Sequence, residues 1–222
     1  MKECSLPTRR QCLDLMDEFG VPLHIRKHNL AVARLGVFLA KKLKEKGISV
    51  DVDLVDRACL LHDLLRICDP RCLLPQARVY PRESGGGGYD RSAEFRLLTR
   101  KSCHEDAAYE LLKDKYPALA LAVKRHRYAA LLDEKDKPVT WEQKLVYYAD
   151  KRVMHHRIVP LKERLEEAHR RNAAEQNCKS QAKLDTEQID AAIFELERQI
   201  FDKIGLEPDE ITAGRKISRS RR

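Results

Sequence analysis

Glycine and proline are scarce, nine of each in 222 residues, and aromatic side chains make up only 6% with a single tryptophan. So few chain breakers exclude collagen-like and low-complexity compositions, while 43% hydrophobic and 35% charged residues is the balance of a soluble helical protein. No apolar run approaches the roughly 20 residues that a membrane span needs. The first ten residues, Met1 to Arg10, hold no apolar signal segment, so cytoplasmic residence is the default expectation. Seven cysteines, odd in number and scattered, exclude a fully paired disulfide framework and suit free thiols in a reducing compartment. The length allows one domain with appendages and is too short for two large ones.

Basic charge is in excess, at a formal +8, but its location decides what it means. Five of those charges, Arg215, Lys216, Arg219, Arg221 and Arg222, lie in the last eight residues with no acid among them, leaving about +3 for the rest. The end of the chain, residues 213–222, therefore reads as a solvated, disordered basic tail, and nucleic-acid binding through it is not expected.

What the chain has in abundance is helical periodicity, with no alternation sustained long enough to compete as a strand. Pro7 is placed to open a first helix that Gly20 closes. From Asn29 a second helix carries Val32, Leu35, Leu39 and Leu43 on one stripe and ends near Gly47. Asp51 or Asp53 caps a third, through Val55, Ala58, His62 and Leu65. Residues 69–91 hold Pro70, Pro75, Pro81 and the run Gly85 to Gly88, and read as a flexible insertion that could close over a site as a lid. Helical pattern resumes from Ser102 to Lys113, and again from Pro117 through Leu119, Ala122, Val123 and His126. Thr140 and Gln143 form a capping box for a helix through Val146, Ala149, Asp150 and Val153. Beyond Pro160 a charged stretch leads to the stripe Ile189, Ala192, Ile193, Leu196, Ile200 and Ile204, which Gly205 terminates. That stripe must pack either on the core or on a second copy in a homodimer.

Ionisable residues fall on these apolar stripes. His28 shares the face of Val32, Leu35 and Leu39; His62 that of Val55, Ala58 and Leu65; His104 that of Ala108 and Leu111; His126 that of Leu119, Ala122 and Val123. Asp150 lies between Val146 and Val153 on theirs. One such histidine alone reads as a hydrogen-bonded core residue, but five helices each turning a metal-capable group inward point to a shared cation, because a buried carboxylate needs a counter-charge or a proton. Asp63, next to His62 and about 100° further round the helix, allows one element to offer an imidazole and a carboxylate to one ion or to bridge two. Nitrogen and carboxylate together suit divalent iron, manganese or zinc with positions left open for water and substrate.

The ordered set resembles the HD-domain superfamily of metal-dependent phosphohydrolases, in which a His, an adjacent His-Asp pair and a distant Asp stand on helices. The matching segments are His28 in IRKHNLAVARL, His62 and Asp63 in ACLLHDLLR, and Asp150 in LVYYADKRV. His104 in SCHEDAAYELL and His126 in AVKRHRYAAL stand where branches with a second metal have two further histidines. Those branches include dinucleoside polyphosphate hydrolases and cyclic-dinucleotide phosphodiesterases. The extended signature of the cyclic-dinucleotide branch and the longer motifs of the large dNTP and guanosine tetraphosphate hydrolases are absent, so no substrate carries over. The stretch from Ala149 to Leu165 is similar to small bacterial stand-alone HD proteins.

The resemblance implies an all-α HD-domain bundle over residues 1–160, with its core at about 20–155, followed by C-terminal helices over 161–212. It implies one or two divalent ions, iron or manganese favoured and zinc, nickel, cobalt or magnesium admitted, and a small phosphorylated substrate, a nucleotide being the favoured class. Coordination lowers the pKa of water from 15.7 to roughly 7 and stabilises charge on phosphoryl oxygens. Arg66, four residues after His62, is placed to grip a phosphate oxygen, and Lys151 beside Asp150 is a second candidate. Glu105 is placed to donate a proton or to orient a ligand histidine. Two rival readings stay open: a regulatory module that keeps its ion and binds a nucleotide without turnover, and a structural zinc site from Cys68, Cys72 and Cys103, with Cys178.

Overall fold

The computed structural model of the protein describes residues 6–66, 103–175 and 180–214. The expected insertion at 69–91, Cys68, Cys72, Cys178 and the basic tail from 215 onward lie outside the described residues. Among those described, the fold is all-α, with eight α-helices and one two-residue hairpin.

Helix α1 (Arg9–Glu18) starts from a capping box that the pattern of stripes did not reveal: Thr8 accepts from Gln11 N, and the Gln11 side chain returns to the Thr8 backbone. Helix α2 (Leu23–Glu45) begins six residues before the expected Asn29. Its first turn projects beyond the core, with Leu23 60% exposed, so no apolar stripe marks it. Arg26 anchors that turn by donating to the carbonyls of Val21 and Met16 at the end of α1, at 2.6 and 2.8 Å. His28 therefore stands inside a helix and not ahead of one.

Helix α3 (Val52–Leu61) is capped by Asp51, which accepts from Leu54 N at 3.0 Å. It lies close against α2: a Cβ at Gly36 would meet Cys59 Sγ at 2.8 Å and Val55 Cγ1 at 3.0 Å. The helix ends at Leu61, four residues short of the expected Leu65, and the chain winds on more tightly, with Leu64 N donating to Leu61 O and Arg66 N to Asp63 O. Residues 58–65 are all buried, so no polar face exists from which a change of winding could be read.

Helices α4 (His104–Leu112) and α5 (Pro117–Lys124, with proline in its first turn) pack against each other. His126 lies just past the end of α5, followed by a 3₁₀ turn over Tyr128–Leu132. Helix α6 (Trp141–Lys151) opens on the expected Thr140 and Gln143 box and carries Asp150 in its last turn. The sequence shows no strand because the two among the described residues are too short to alternate: β1 (Val153–Met154) pairs antiparallel with β2 (Arg157–Ile158), reversing at His155, whose φ is +56°.

Helix α7 (Leu161–Glu175) leads to α8 (Ser180–Ile204), which ends at Gly205 in the left-handed conformation, φ +68°. Ile189, Ile193, Leu196, Ile200, Phe201 and Ile204 are buried in the same core as α2 and α6, each side chain contributing about 1.5–3 kcal/mol. Arg152, 1% exposed, bolts this extension to the end of α6: it donates to Glu197 Oε2 at 2.9 Å, to Val159 O at 2.7 Å, to Pro208 O at 3.1 Å and to the Tyr148 hydroxyl. No helix among the described residues is long and apolar enough to cross a membrane.

Candidate metal centre

Five separate segments deliver one cluster. His28 comes from the second turn of α2, His62 and Asp63 from the tightened end of α3, His104 and Glu105 from the first turn of α4, His126 from the turn after α5, and Asp150 with Lys151 from the last turn of α6. All are buried except His28, whose side chain is 12% exposed. The four imidazoles form a row, with ring centroids 5.3 Å apart from His28 to His62, 5.0 Å from His62 to His126 and 5.6 Å from His126 to His104.

Three of the four rings are oriented by backbone carbonyls. His28 Nδ1 lies 2.9 Å from His155 O, His62 Nδ1 2.8 Å from Cys59 O, and His126 Nδ1 2.5 Å from Val123 O. A carbonyl only accepts, so Nδ1 carries the proton in each and Nε2 presents a lone pair to the cluster. The hairpin thus positions His28 through the carbonyl of His155. The tight winding after Leu61 serves the same end: Leu64 N turns to Leu61 O, and Leu60 O takes the side-chain amide of buried Asn29 at 2.9 Å.

The carboxylates meet these lone pairs. Asp150 Oδ1 lies 3.0 Å from His28 Nε2 and 3.5 Å from His62 Nε2, while its Oδ2 accepts from Lys151 Nζ at 2.6 Å. Asp63 Oδ1 lies 3.2 Å from His104 Nε2 and 3.6 Å from His126 Nε2; its Oδ2 lies 3.7 Å from His62 Nε2 and accepts from Arg66 at 2.7 Å. Lys151 also donates to His126 O at 3.0 Å, linking α6 to the turn after α5. Arg66 keeps a side chain 35% exposed, at the edge of the cluster.

Burial opposes charge on both aspartates and is outweighed. Arg66 and then His62, with the rings of His104 and His126 beside them, hold the Asp63 carboxyl well below its ordinary range; Lys151, His28 and His62 do the same for Asp150. Burial lowers the His126 ring, whereas at His62 the same effect is overcome by Asp63 and then Asp150, and that ring is raised. Glu105, despite burial, is lowered by His104 and His126.

A metal fits this arrangement. His62 Nε2 and Asp63 Oδ1 are fully buried and have no hydrogen-bond partner among the described residues, an arrangement that costs each group its hydration unless a cation takes the lone pairs. His28, His62 and Asp150; His62, Asp63 and His126; and His104, Glu105 and His126 are each sets whose ligand atoms lie within 4.8 Å of one another. Of the alternative thiolate site, only Cys103 lies among the described residues; it precedes α4 and its Sγ lies 2.9 Å from Asp106 Oδ2.

Sequence reasoning did not find Asn29, Arg152 or the carbonyl of His155. A buried asparagine on an apolar stripe and an arginine two residues after Asp150 were signals within reach; a backbone carbonyl carries none. No curated protein and no solved structure matches the chain. A family model for the HD domain matches residues 25–154, more than half of the chain, and the protein belongs to the HD-domain family, whose members include metal-dependent phosphohydrolases.

Proposed function

We propose that the protein hydrolyses a small phosphate mono- or diester, with nucleotides the favoured class, using one or two divalent ions, iron or manganese in preference to zinc, nickel, cobalt or magnesium. The observation that carries this reading is the convergence of four imidazoles and three carboxylates in three ligand sets, with buried His62 Nε2 and Asp63 Oδ1 lacking a hydrogen-bond partner among the described residues. His28, His62 and Asp150 would hold one ion, His104 and His126 belong to a second, and Asp63 stands between them. A bound divalent ion supplies activated water near neutral pH and neutralises charge on phosphoryl oxygens.

The chain's own groups do the rest. Arg66 is fixed on Asp63 Oδ2 and reaches the edge of the cluster, where its planar guanidinium suits a phosphate oxygen. Lys151, with two hydrogen bonds already made to Asp150 and His126 O, acts by steadying those two segments. The carbonyls of His155, Cys59 and Val123 keep three rings in the tautomer that binds cations.

The test is metal analysis of the wild-type chain and of the His62→Ala, Asp63→Ala double variant, beside a panel of nucleotides and model phosphodiesters with added manganese, iron or nickel. Wild type is expected to hold metal and release product, and the variant to lose both. Equal metal content in the two rejects the site. Saturable nucleotide binding with no product over hours assigns the protein to regulation instead.

A further inference from the structure

His62 and His126 limit how the ligands can be shared. Each has Nδ1 committed to a backbone carbonyl, Cys59 O and Val123 O, so each has a single lone pair, on Nε2, and serves a single ion. The ligand set His62, Asp63 and His126 would use both of those lone pairs. It therefore excludes the two flanking sets, His28 with His62 and Asp150, and His104 with Glu105 and His126. One ion in the middle would leave Asp150 with Lys151 alone and would leave the buried Glu105 carboxylate outside the set, whereas two ions at the flanks engage both.

The flanking arrangement also accounts for Asp63. Its two oxygens face opposite ways, Oδ2 toward His62 at 3.7 Å and Oδ1 toward His104 and His126 at 3.2 and 3.6 Å. It is the group left over for both sides. Glu105 is the counterpart of Asp150: its side chain is 11% exposed, and Oε2 is buried, 3.2 Å from His104 Nδ1 and without a hydrogen-bond partner among the described residues. A carboxylate oxygen desolvated in that way is unfavourable unless a cation meets it. Each flank then offers two imidazoles and one carboxylate, a set that binds divalent transition metals and leaves positions open.

We propose that Glu105 is a direct ligand of a second divalent ion, held together with His104 and His126, so that the centre carries two ions in matching two-histidine, one-carboxylate sets that share Asp63. The inference rests on the reading of the cluster as a metal centre and replaces proton donation as the role of Glu105. It brings a third carboxylate, beside Asp63 and Asp150, to offset the charge of the two divalent cations.

Manganese titration of the full-length chain after chelator dialysis, read as ions bound per chain and as two dissociation constants, tests it. Wild type is expected to bind two ions. Glu105→Gln is expected to keep the first constant and to weaken the second more than about 100-fold, beyond the 10- to 100-fold loss typical of a residue that only orients a ligand. A smaller loss in Glu105→Gln, or a wild-type chain that binds one ion, overturns the proposal while leaving the phosphohydrolase reading intact; a wild-type chain that binds none overturns both. Should Glu105→Gln lose its helical circular dichroism, Glu105→Asp is read instead: withdrawal of the carboxylate by one methylene is expected to weaken the second constant alone by more than about 100-fold, and a smaller loss overturns the proposal.

Discussion

Arg152→Met tests whether the C-terminal helix is part of the scaffold of the centre. The guanidinium is 1% exposed and donates to Glu197, the Tyr148 hydroxyl and the carbonyls of Val159 and Pro208. Methionine approximates its apolar stem but leaves Glu197, only 13% exposed, without a counter-charge. Removing one partner of a buried pair costs about 3–5 kcal/mol, and at about 2–4 °C per kcal/mol for a chain of this size the melting temperature falls by roughly 6–20 °C. The measurement is urea and thermal unfolding of the metal-stripped protein, so that ion binding adds nothing to the difference. The double variant Arg152→Met, Glu197→Leu is expected to recover at least about 1 kcal/mol relative to the sum of the single changes, because the two side chains share one network. A loss below about 1 kcal/mol for Arg152→Met, or additivity of the two changes, refutes the reasoning.

Asn29→Ala removes the amide that satisfies Leu60 O beside the tightened end of α3, and is expected to cost about 1–3 kcal/mol in urea unfolding. An unchanged midpoint would mean that the carbonyl finds another donor. Alkaline pH acts through Tyr128, Tyr147 and Tyr148. Burial raises all three phenols, reinforced by Asp190 at Tyr128 and by Tyr128 and Asp150 at Tyr147, while at Tyr148 it outweighs the lowering by Arg152 and Glu197 adds to the rise. The folded chain keeps protons that the unfolded chain releases, so stability is full below about pH 10 and falls as pH rises beyond it. Tyrosinate absorbance and helical circular dichroism should change together; ionisation of these tyrosines in a fully helical protein would contradict the burial.

Much of this protein is readable in its residues. The all-α fold follows from stripes spaced three and four residues apart, the start of α6 from Thr140 and Gln143, and the end of α8 from Gly205, since these signals are local and act through the backbone nearest to them. The same spacing put His28, His104 and Asp150 on the inward faces of helices, whereas His62 and His126 lie just past the ends of α3 and α5 and are buried in the turns that follow. What periodicity cannot carry is the relation between helices. Which imidazole lone pairs meet, which oxygen of Asp63 faces which ring, and that Glu105 lies against His104 while Lys151 is spent on Asp150 and His126 all depend on how five segments cross. The tighter winding after Leu61 was hidden because that segment is buried on every side, and the carbonyls of Cys59, Val123 and His155 were hidden because every residue has one and only tertiary contact selects those that orient a ring.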